Sequence, residues 1–300
     1  MGKSISVVVP VFNEAENIPV LYRSLKEVLI RLGFRHEIIF VDDGSTDNTP
    51  KTIENISSKD RTVKHIRFRR NLQKAAALSA GFREAKGDIV FTMDGDMQDD
   101  PREIPRFLAK MDEGYDLVVG WKYRRKDPLT KTIPSKFFNF LTRLVTGVKV
   151  HDSNCGFKAF RSEAVKNLKV YGELHRFIPS LAYLQGFRVG EIKVEHHKRL
   201  HGKSKYGISR LFKGFFDLLT VQFLMKYGKR PMHFFGGIGM LCILAGLLIG
   251  IYLVALWLNG IKIGSRPLLI LGVLLVIVGA QFFSMGYLGE MVARLGEEKK

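Results

Sequence analysis

Gly87-Asp88-Ile89-Val90-Phe91-Thr92-Met93-Asp94-Gly95-Asp96-Met97-Gln98-Asp99-Asp100-Pro101 is the stretch from which the rest of the chain is best read. Ile89 to Thr92 is a short apolar run with no helical period, the pattern of a strand buried on both faces. At its end stand two carboxylates one residue apart, then an amide, then two more carboxylates. So many oxygen ligands in one turn call for a cation. The expectation is a divalent-metal site that holds a nucleotide diphosphate. Asp99 and Asp100 precede Pro101 and suit the positive end of the helix that Pro101 opens, so they stand outside the expected metal set.

Working outward, the same strand-then-polar pattern recurs. Ile5 to Val11 is rich in valine and ends at Asn13-Glu14, and Glu37 to Val41 ends at Asp42-Asp43-Gly44-Ser45. Val63 to Phe68 is an alternating strand, and Leu117 to Gly120 a fifth. Helical spacing fills the gaps: Asn17 to Arg31, Thr46 to Ser57 with Thr46 or Asp47 as N-cap, Gln73 to Glu84, and Pro101 to Glu113. Strand alternating with helix at this spacing predicts an α/β fold around a mostly parallel sheet. Ligands of such sheets bind beyond the carboxyl ends of the strands, so the three polar clusters should converge on one crevice. No Gly-x-Gly-x-x-Gly or Gly-Lys-Ser/Thr phosphate loop follows any of these strands.

The 300 residues are 46% hydrophobic and 25% charged, a composition that excludes a disordered chain. The formal charge of +18 asks for an anionic partner. Cys155 lies in a polar motif and Cys242 in an apolar run, so no disulfide framework is expected. Phe234 to Leu258 and Pro267 to Gly289 carry no charged residue, and each is long enough to span a bilayer as a helix. Lys and Arg gather before the first span and after the second, and only Lys262 and Arg266 lie in the loop between them. That bias predicts a cytoplasmic N-terminal domain and C-terminus. Ser135 to Thr146 and Ile208 to Tyr227 read as amphipathic helices. The first suits the core and the membrane interface about equally, and the second suits the interface better. Gly246 and Gly250 lie four apart, a spacing that lets helices approach closely within the hairpin or between subunits.

The set Val9-Pro10-Val11-Phe12-Asn13-Glu14, Val41-Asp42-Asp43-Gly44-Ser45-Thr46-Asp47 and Asp94-Gly95-Asp96-Met97-Gln98-Asp99 resembles glycosyltransferase family 2, with its Rossmann-like GT-A fold. Asp152 to Arg161 looks like that family's acceptor-side motif. His196 to Tyr206 is similar to a block of the polyprenyl-phosphate glycosyltransferases, a subgroup that includes dolichol-phosphate mannose synthase and undecaprenyl-phosphate glucosyl- and aminoarabinosyltransferases. The resemblance implies a GT-A domain over residues 1–205, interfacial amphipathic helices over 206–232, a two-helix transmembrane hairpin over 233–290 and a tail over 291–300. It also implies a homo-oligomer, which the residues themselves do not require.

By the same resemblance, Asp94, Asp96 and Gln98 would hold Mg²⁺ or Mn²⁺, with Asp96 the surer direct ligand. Pro10, Phe12, Glu14, Asp42 and Asp94 would contact the nucleotide, with Asp42 accepting the imide N–H of uracil or guanine. Asn71 and Lys74 stand where relatives approach base and ribose. Arg124, Arg199 and Lys205 match phosphate-binding cations for the lipid acceptor, and Lys122 joins them where dolichol-phosphate mannose synthases tend to carry arginine. Asp96, Asp152 and Arg124 are the expected catalytic residues, Asp152 as a base or as a group that orients the acceptor. His196, His197 and His201 have no carboxylate or cysteine at zinc spacing and are read as lying near phosphate.

The expected function is inverting transfer of a hexose, UDP-glucose favoured as donor, to a polyprenyl monophosphate at the cytoplasmic face of a cytoplasmic or endoplasmic-reticulum membrane. A GDP-mannose-dependent dolichyl-phosphate mannosyltransferase is the alternative. A processive polysaccharide synthase would show more spans and a Gln-x-x-Arg-Trp motif, and neither is present. A basic membrane-tethered module binding nucleic acid or anionic lipid fits the charge but leaves the acidic stretch unexplained, so no nucleic-acid partner is expected.

Overall fold

The computed structural model describes residues 3–123, 129–168, 170, 172–197, 209–228, 230–264 and 266–297. Arg124, Arg199, Lys205 and His201 lie outside the described residues. The chain divides into two compact units, Met1–Val221 and Gln222–Lys300.

The first unit is built on β1 (Ser4–Val11), β2 (Arg35–Asp42), β3 (Val63–Arg67), β4 (Ile89–Thr92), β5 (Leu117–Lys122), β6 (Lys158–Arg161) and β7 (Val189–Val194). They form one sheet in the order β3-β2-β1-β4-β6-β5-β7. Every pairing is parallel except those of β6, which runs antiparallel to both β4 and β5. Val7, Val8 and Val9 of β1 and Ile38 to Val41 of β2 are fully buried. Each such side chain contributes on the order of 1.5–3 kcal/mol. β-Branched residues dominate because the pleated surface fits them.

Helices α1 (Ile18–Leu32), α2 (Thr49–Ser57), α3 (Gln73–Glu84) and α4 (Ile104–Asp112) cross between strands as the spacing predicts. Two differ at their starts. α2 begins at Thr49 rather than Thr46, because Asn13 and Asp42 draw the backbone N–H groups of Thr46 and Ser45 into loop contacts instead. The helix expected from Pro101 opens as a 3₁₀ turn, Pro101–Glu103, before α4. Phe91, Phe107 and Phe157 pack edge-to-face and tilted, with centroids 4.4–6.3 Å apart, and so fix α4 beneath β4 and the approach to β6.

α5 (Leu129–Thr146) starts earlier than the Ser135 expected. Its buried positions include Asn139, Thr142 and Thr146, while Phe140 is 54% and Leu144 71% exposed. That arrangement inverts the ordinary amphipathic rule for a helix on a soluble core. After β6 come α6 (Ser162–Asn167), a 3₁₀ turn at Leu174–Phe177, α7 (Ile178–Leu184) and, beyond β7, α8 (Ser209–Tyr227). Gly214 of α8 lies against Phe138 of α5, and Phe216 and Leu219 remain exposed.

The second unit is dominated by α9 (Pro231–Leu258) and α10 (Pro267–Glu297), both long and apolar enough to cross a membrane. Glycines set their contact. A Cβ on Gly239 would come 2.7 Å from the Gly279 carbonyl, and one on Gly246 2.7 Å from the Gly272 carbonyl. Small residues let the two backbones approach this closely. Of the expected pair, Gly246 belongs to this seam, and Gly250 meets nothing within 4 Å.

Candidate active site

The carboxyl edge of the sheet gathers the polar clusters, and their loops are stitched to one another. Beyond β1, Asn13 adopts a left-handed backbone (φ 55°). Its N–H donates to Ser45 Oγ at 2.9 Å, and its Oδ1 accepts from the Thr46 N–H at 2.8 Å. The Glu14 N–H donates to Thr49 Oγ1 at 2.8 Å, and Glu14 Oε2 accepts from Asn17 Nδ2 at 2.6 Å. Pro10 ends its strand beside Val41, and Phe12 follows directly. Asp42 is fully buried, with Oδ1 accepting from the Ser45 N–H at 2.9 Å and Oδ2 lying 3.7 Å from Arg67 Nε. Asp43 Oδ1 accepts from the Leu72 N–H at 2.6 Å and so draws in the segment before α3. Burial pushes the Asp43 carboxyl above its usual range.

The acidic stretch divides by residue. Asp94 pairs with Lys74 of α3, a lysine that the sequence places near base and ribose. Asn71, its expected companion, accepts instead from the Gln73 N–H at 3.1 Å. Asp96 is 7% exposed, and its Oδ1 accepts from the Gln98 N–H at 3.2 Å around Met97, whose φ is 60°. Asp100 does serve the next helix, accepting from the Arg102 N–H at 2.9 Å. Asp99 does not: it is buried and paired at 2.8 Å with Lys122, the last residue of β5. The segment after β7 runs alongside, with the His197 N–H donating to the Gln98 carbonyl at 3.0 Å and His196 bridging Asp99. His197 Nε2 lies 3.4 Å from Asp100 Oδ2, an acidic neighbour where phosphate proximity was expected.

The reversed strand β6 completes the site. Its first residue, Lys158, sits opposite Thr92 of β4 and Val119 of β5, so the turn before it passes the ends of both. Thr92 Oγ1 donates to the Gly156 carbonyl at 2.7 Å. A Cβ on Gly156 would stand 2.5 Å from Cγ and from both oxygens of Asp94, so only glycine leaves that carboxylate its place. Asp152 is buried and accepts from Asn139 Nδ2 at 3.4 Å, while its carbonyl accepts from the Cys155 N–H.

Electrostatics tie these groups into one cluster. Burial opposes a charge on Asp94, but Lys74, Lys122 and Lys158 outweigh it and hold the carboxyl well below its usual range. Burial likewise opposes the charge of Lys122, and Asp99 then Asp94 raise its pKa above the ordinary lysine value. Burial brings Lys158 down to about 8 and pushes the Cys155 thiol up to about 12. His175, in the 3₁₀ turn before α7, is brought down to about 3 by burial and by Lys74, Arg176 and Lys158. Sequence reasoning passed over Lys158 and His175. Lys158 had a signal, a lone cation inside the apolar run Phe157-Lys158-Ala159-Phe160, and His175 had none.

Among the described residues no three His, Cys, Asp or Glu side chains gather as a self-sufficient metal cage. Asp94, Asp96 and Gln98 offer two carboxylates and an amide. That donor set fits Mg²⁺ or Mn²⁺ shared with phosphate oxygens and water, rather than zinc.

Comparison with known proteins agrees with this picture. The model of the family described as Glycosyl transferase family 2 matches residues 6–169. The chain is 40% identical over 296 residues to a dodecaprenyl-phosphate galacturonate synthase of Rhizobium johnstonii, covering 97% of this chain and 88% of that one. It is 34% identical over 294 residues to an undecaprenyl-phosphate 4-deoxy-4-formamido-L-arabinose transferase of Pseudomonas aeruginosa, covering 97% and 85%. In fold it is similar to glucosyl-3-phosphoglycerate synthase of Mycobacterium tuberculosis crystallised with Mn²⁺ and UDP-glucose. That match has a TM-score of 0.56 at 20% identity and covers 75% of this chain and 79% of that one.

Proposed function

Because the chain belongs to glycosyl transferase family 2, we propose that it moves a sugar from a nucleotide diphosphate onto a polyprenyl monophosphate, with inversion at the anomeric carbon. The observation that carries this reading is the carboxylate pair Asp94 and Asp96 set among Lys74, Lys122 and Lys158 at one edge of the sheet. An anionic donor and an anionic acceptor need that mixture, and a basic tether for anionic lipid does not. The names of both curated relatives specify a polyprenyl-phosphate acceptor.

In this mechanism a phosphate oxygen of the lipid attacks the anomeric carbon as the bond from that carbon to the donor diphosphate breaks. Asp94, Asp96 and Gln98 would hold Mg²⁺ or Mn²⁺, which when bound offsets the charge that develops on the leaving diphosphate. The acceptor is already anionic, its second pKa being about 6, so Asp152 need not act as a strong base. Its burial suits it to orient a substrate hydroxyl or phosphate. Pro10, Phe12, Glu14 and Asp42 frame the nucleotide, with uridine diphosphate favoured. Arg124, Arg199 and Lys205 serve the acceptor phosphate. Lys122, held by Asp99, acts beside them as a buried positive charge rather than as a free phosphate ligand. Glucose is the sugar of neither curated relative's name, so the donor we favour is a UDP-linked sugar bearing a further functional group.

α9 and α10 tether the chain to the bilayer that carries the lipid. The exposed Phe140, Leu144, Phe216 and Leu219 suit a membrane interface, and the Lys/Arg bias favours the cytoplasmic side for both flanks of the hairpin. The test is nucleotide release by purified protein with Mn²⁺, a short-chain polyprenyl phosphate and a panel of nucleotide sugars. Release that depends on the lipid is expected for at least one donor. Release with none of them, or release indifferent to lipid, sinks the reading.

A further inference from the structure

Among the described residues Lys158 is a buried cation with no carboxylate in ion-pair contact. Its side chain is inside the protein, 3% exposed, and among the described residues its one hydrogen bond goes to the Cys155 carbonyl. Lys74 and Lys122, its neighbours in the cluster, each hold a carboxylate, Asp94 and Asp99. His175 lies in the 3₁₀ turn that packs on α3, the helix of Lys74, and feels the charges of Lys74, Lys158 and Asp94. It is 7% exposed, and its buried Nδ1 has no hydrogen-bond partner among the described residues. A buried ammonium without an ion pair and a buried ring nitrogen without a partner are each costly to leave so. Together they describe a place for a small anion with hydrogen-bonding oxygens.

The proposed reading gives the substrates two kinds of negative charge, and the sugar can add a third. On the reading above, the metal held by Asp94, Asp96 and Gln98 meets the donor diphosphate, and Arg124, Arg199 and Lys205 meet the acceptor phosphate. The third kind is a carboxylate on the sugar itself, which a hexuronate has and a formamido-arabinose lacks. The relative at 40% identity is named for galacturonate, and the one at 34% for the formamido sugar.

We propose that Lys158 and His175 form the subsite for a carboxylate on the transferred sugar, which makes the donor a UDP-hexuronate. This rests on the reading of the chain as a nucleotide-sugar transferase. The ammonium supplies the charge, and His175 donates Nδ1–H to the second carboxylate oxygen. A neutral hexose leaves both groups unpaired, and for that reason the site discriminates against it.

The test is equilibrium binding to the full chain in nanodiscs with Mn²⁺, comparing UDP, UDP-galactose, UDP-galacturonate, UDP-glucose and UDP-glucuronate. The wild type is expected to bind a UDP-hexuronate at least tenfold more tightly than the matching UDP-hexose. Lys158→Met should erase that preference, weakening UDP-hexuronate at least tenfold more than it weakens UDP. Methionine keeps much of the volume and removes a buried charge, so the variant is expected to fold. His175→Asn, which touches a different element, should cut the preference severalfold. The proposal is overturned if the wild type does not prefer, or does not bind, a UDP-hexuronate. It is equally overturned if Lys158→Met weakens UDP as much as UDP-hexuronate, which assigns the lysine to the diphosphate. A loss confined to binding of a short-chain polyprenyl phosphate assigns it to the acceptor and also overturns the proposal. Hexuronate preference without lipid-dependent turnover would sink the transferase reading and leave the subsite standing, and turnover without preference does the reverse.

Discussion

Replacing Gly156 by alanine is expected to disable the site without unfolding the protein. The added Cβ would stand 2.5 Å from the Cγ and both oxygens of Asp94. Non-bonded carbon contacts settle at about 3.5–4.0 Å, so one side must retreat by roughly 1 Å. Gly156 has little freedom to do so, because its carbonyl accepts from Thr92 Oγ1 at 2.7 Å and Phe157 next to it is locked among Phe91 and Phe107. The carboxylate moves instead. A displacement of that size in a positioning group costs about 100-fold in rate, or about 2.7 kcal/mol of transition-state stabilisation. The expected result is a fall of about 100-fold in kcat/KM for lipid-dependent nucleotide release, weaker Mn²⁺ binding, and a Tm close to that of the wild type. Activity within threefold of wild type, with Mn²⁺ affinity unchanged, would show that the position of Asp94 is immaterial and refute the reasoning.

Lys74→Met frees Asp94 from its ion pair, so Mn²⁺ affinity without nucleotide should rise about fivefold, roughly 1 kcal/mol for a partly exposed pair, while UDP affinity falls; an electron-paramagnetic-resonance titration of free Mn²⁺ reads the first change, and a fall in metal affinity would count against the pairing. Burial holds His175 neutral down to about 3 against an ordinary 6.5, so between those values the unfolded chain binds a proton that the folded chain refuses. Stability therefore drops as pH falls from 6.5 toward 3, and His175→Phe should flatten that part of the profile in thermal unfolding, an unchanged slope contradicting a neutral buried ring. In the hairpin, Gly239→Ala places a Cβ 2.7 Å from the Gly279 carbonyl and should cost about 1–3 kcal/mol in detergent unfolding. Gly250→Ala meets nothing within 4 Å and should change it by less than about 0.5 kcal/mol, so equal effects would remove the seam.

What was legible in the sequence was what local pattern encodes. The valine and isoleucine runs of β1 and β2 give the parallel core, and the charge-free segments give α9 and α10. The Asp94-to-Gln98 turn announces itself by composition. Pairing across the fold was not legible. Asp99 and Asp100 are neighbours with the same chemistry, yet one caps the helix and the other meets Lys122 because β5 ends there. Lys74 matched a position near base and ribose, and only the fold shows that it pairs with Asp94. His175 lies about eighty residues from the donor turn and carries no motif. The exposed Phe140 and Leu144 show the same limit: helical spacing marked an apolar face, and only packing showed that the polar Asn139, Thr142 and Thr146 take the inside.

One reversed strand explains why this site holds both signs of charge. A parallel strand offers the crevice only the residues at its carboxyl end, and here β1, β2 and β4 lead mainly to carboxylates and amides. β6 runs the other way, between β4 and β5, so the crevice receives its beginning instead. The turn that leads into it brings Asp152, Cys155 and Gly156 past the end of β4 before Lys158 starts the ladder. The close approach of the Gly156 backbone to Asp94 and the burial of Lys158 beside it thus follow from a single topological choice. A parallel β6 would have sent Lys158 to the opposite edge and left Asp94 with Lys74 and Lys122 alone. The three-lysine surround that lowers the Asp94 carboxyl below its usual range is therefore a consequence of the sheet order, and the metal role proposed for that carboxylate draws on it.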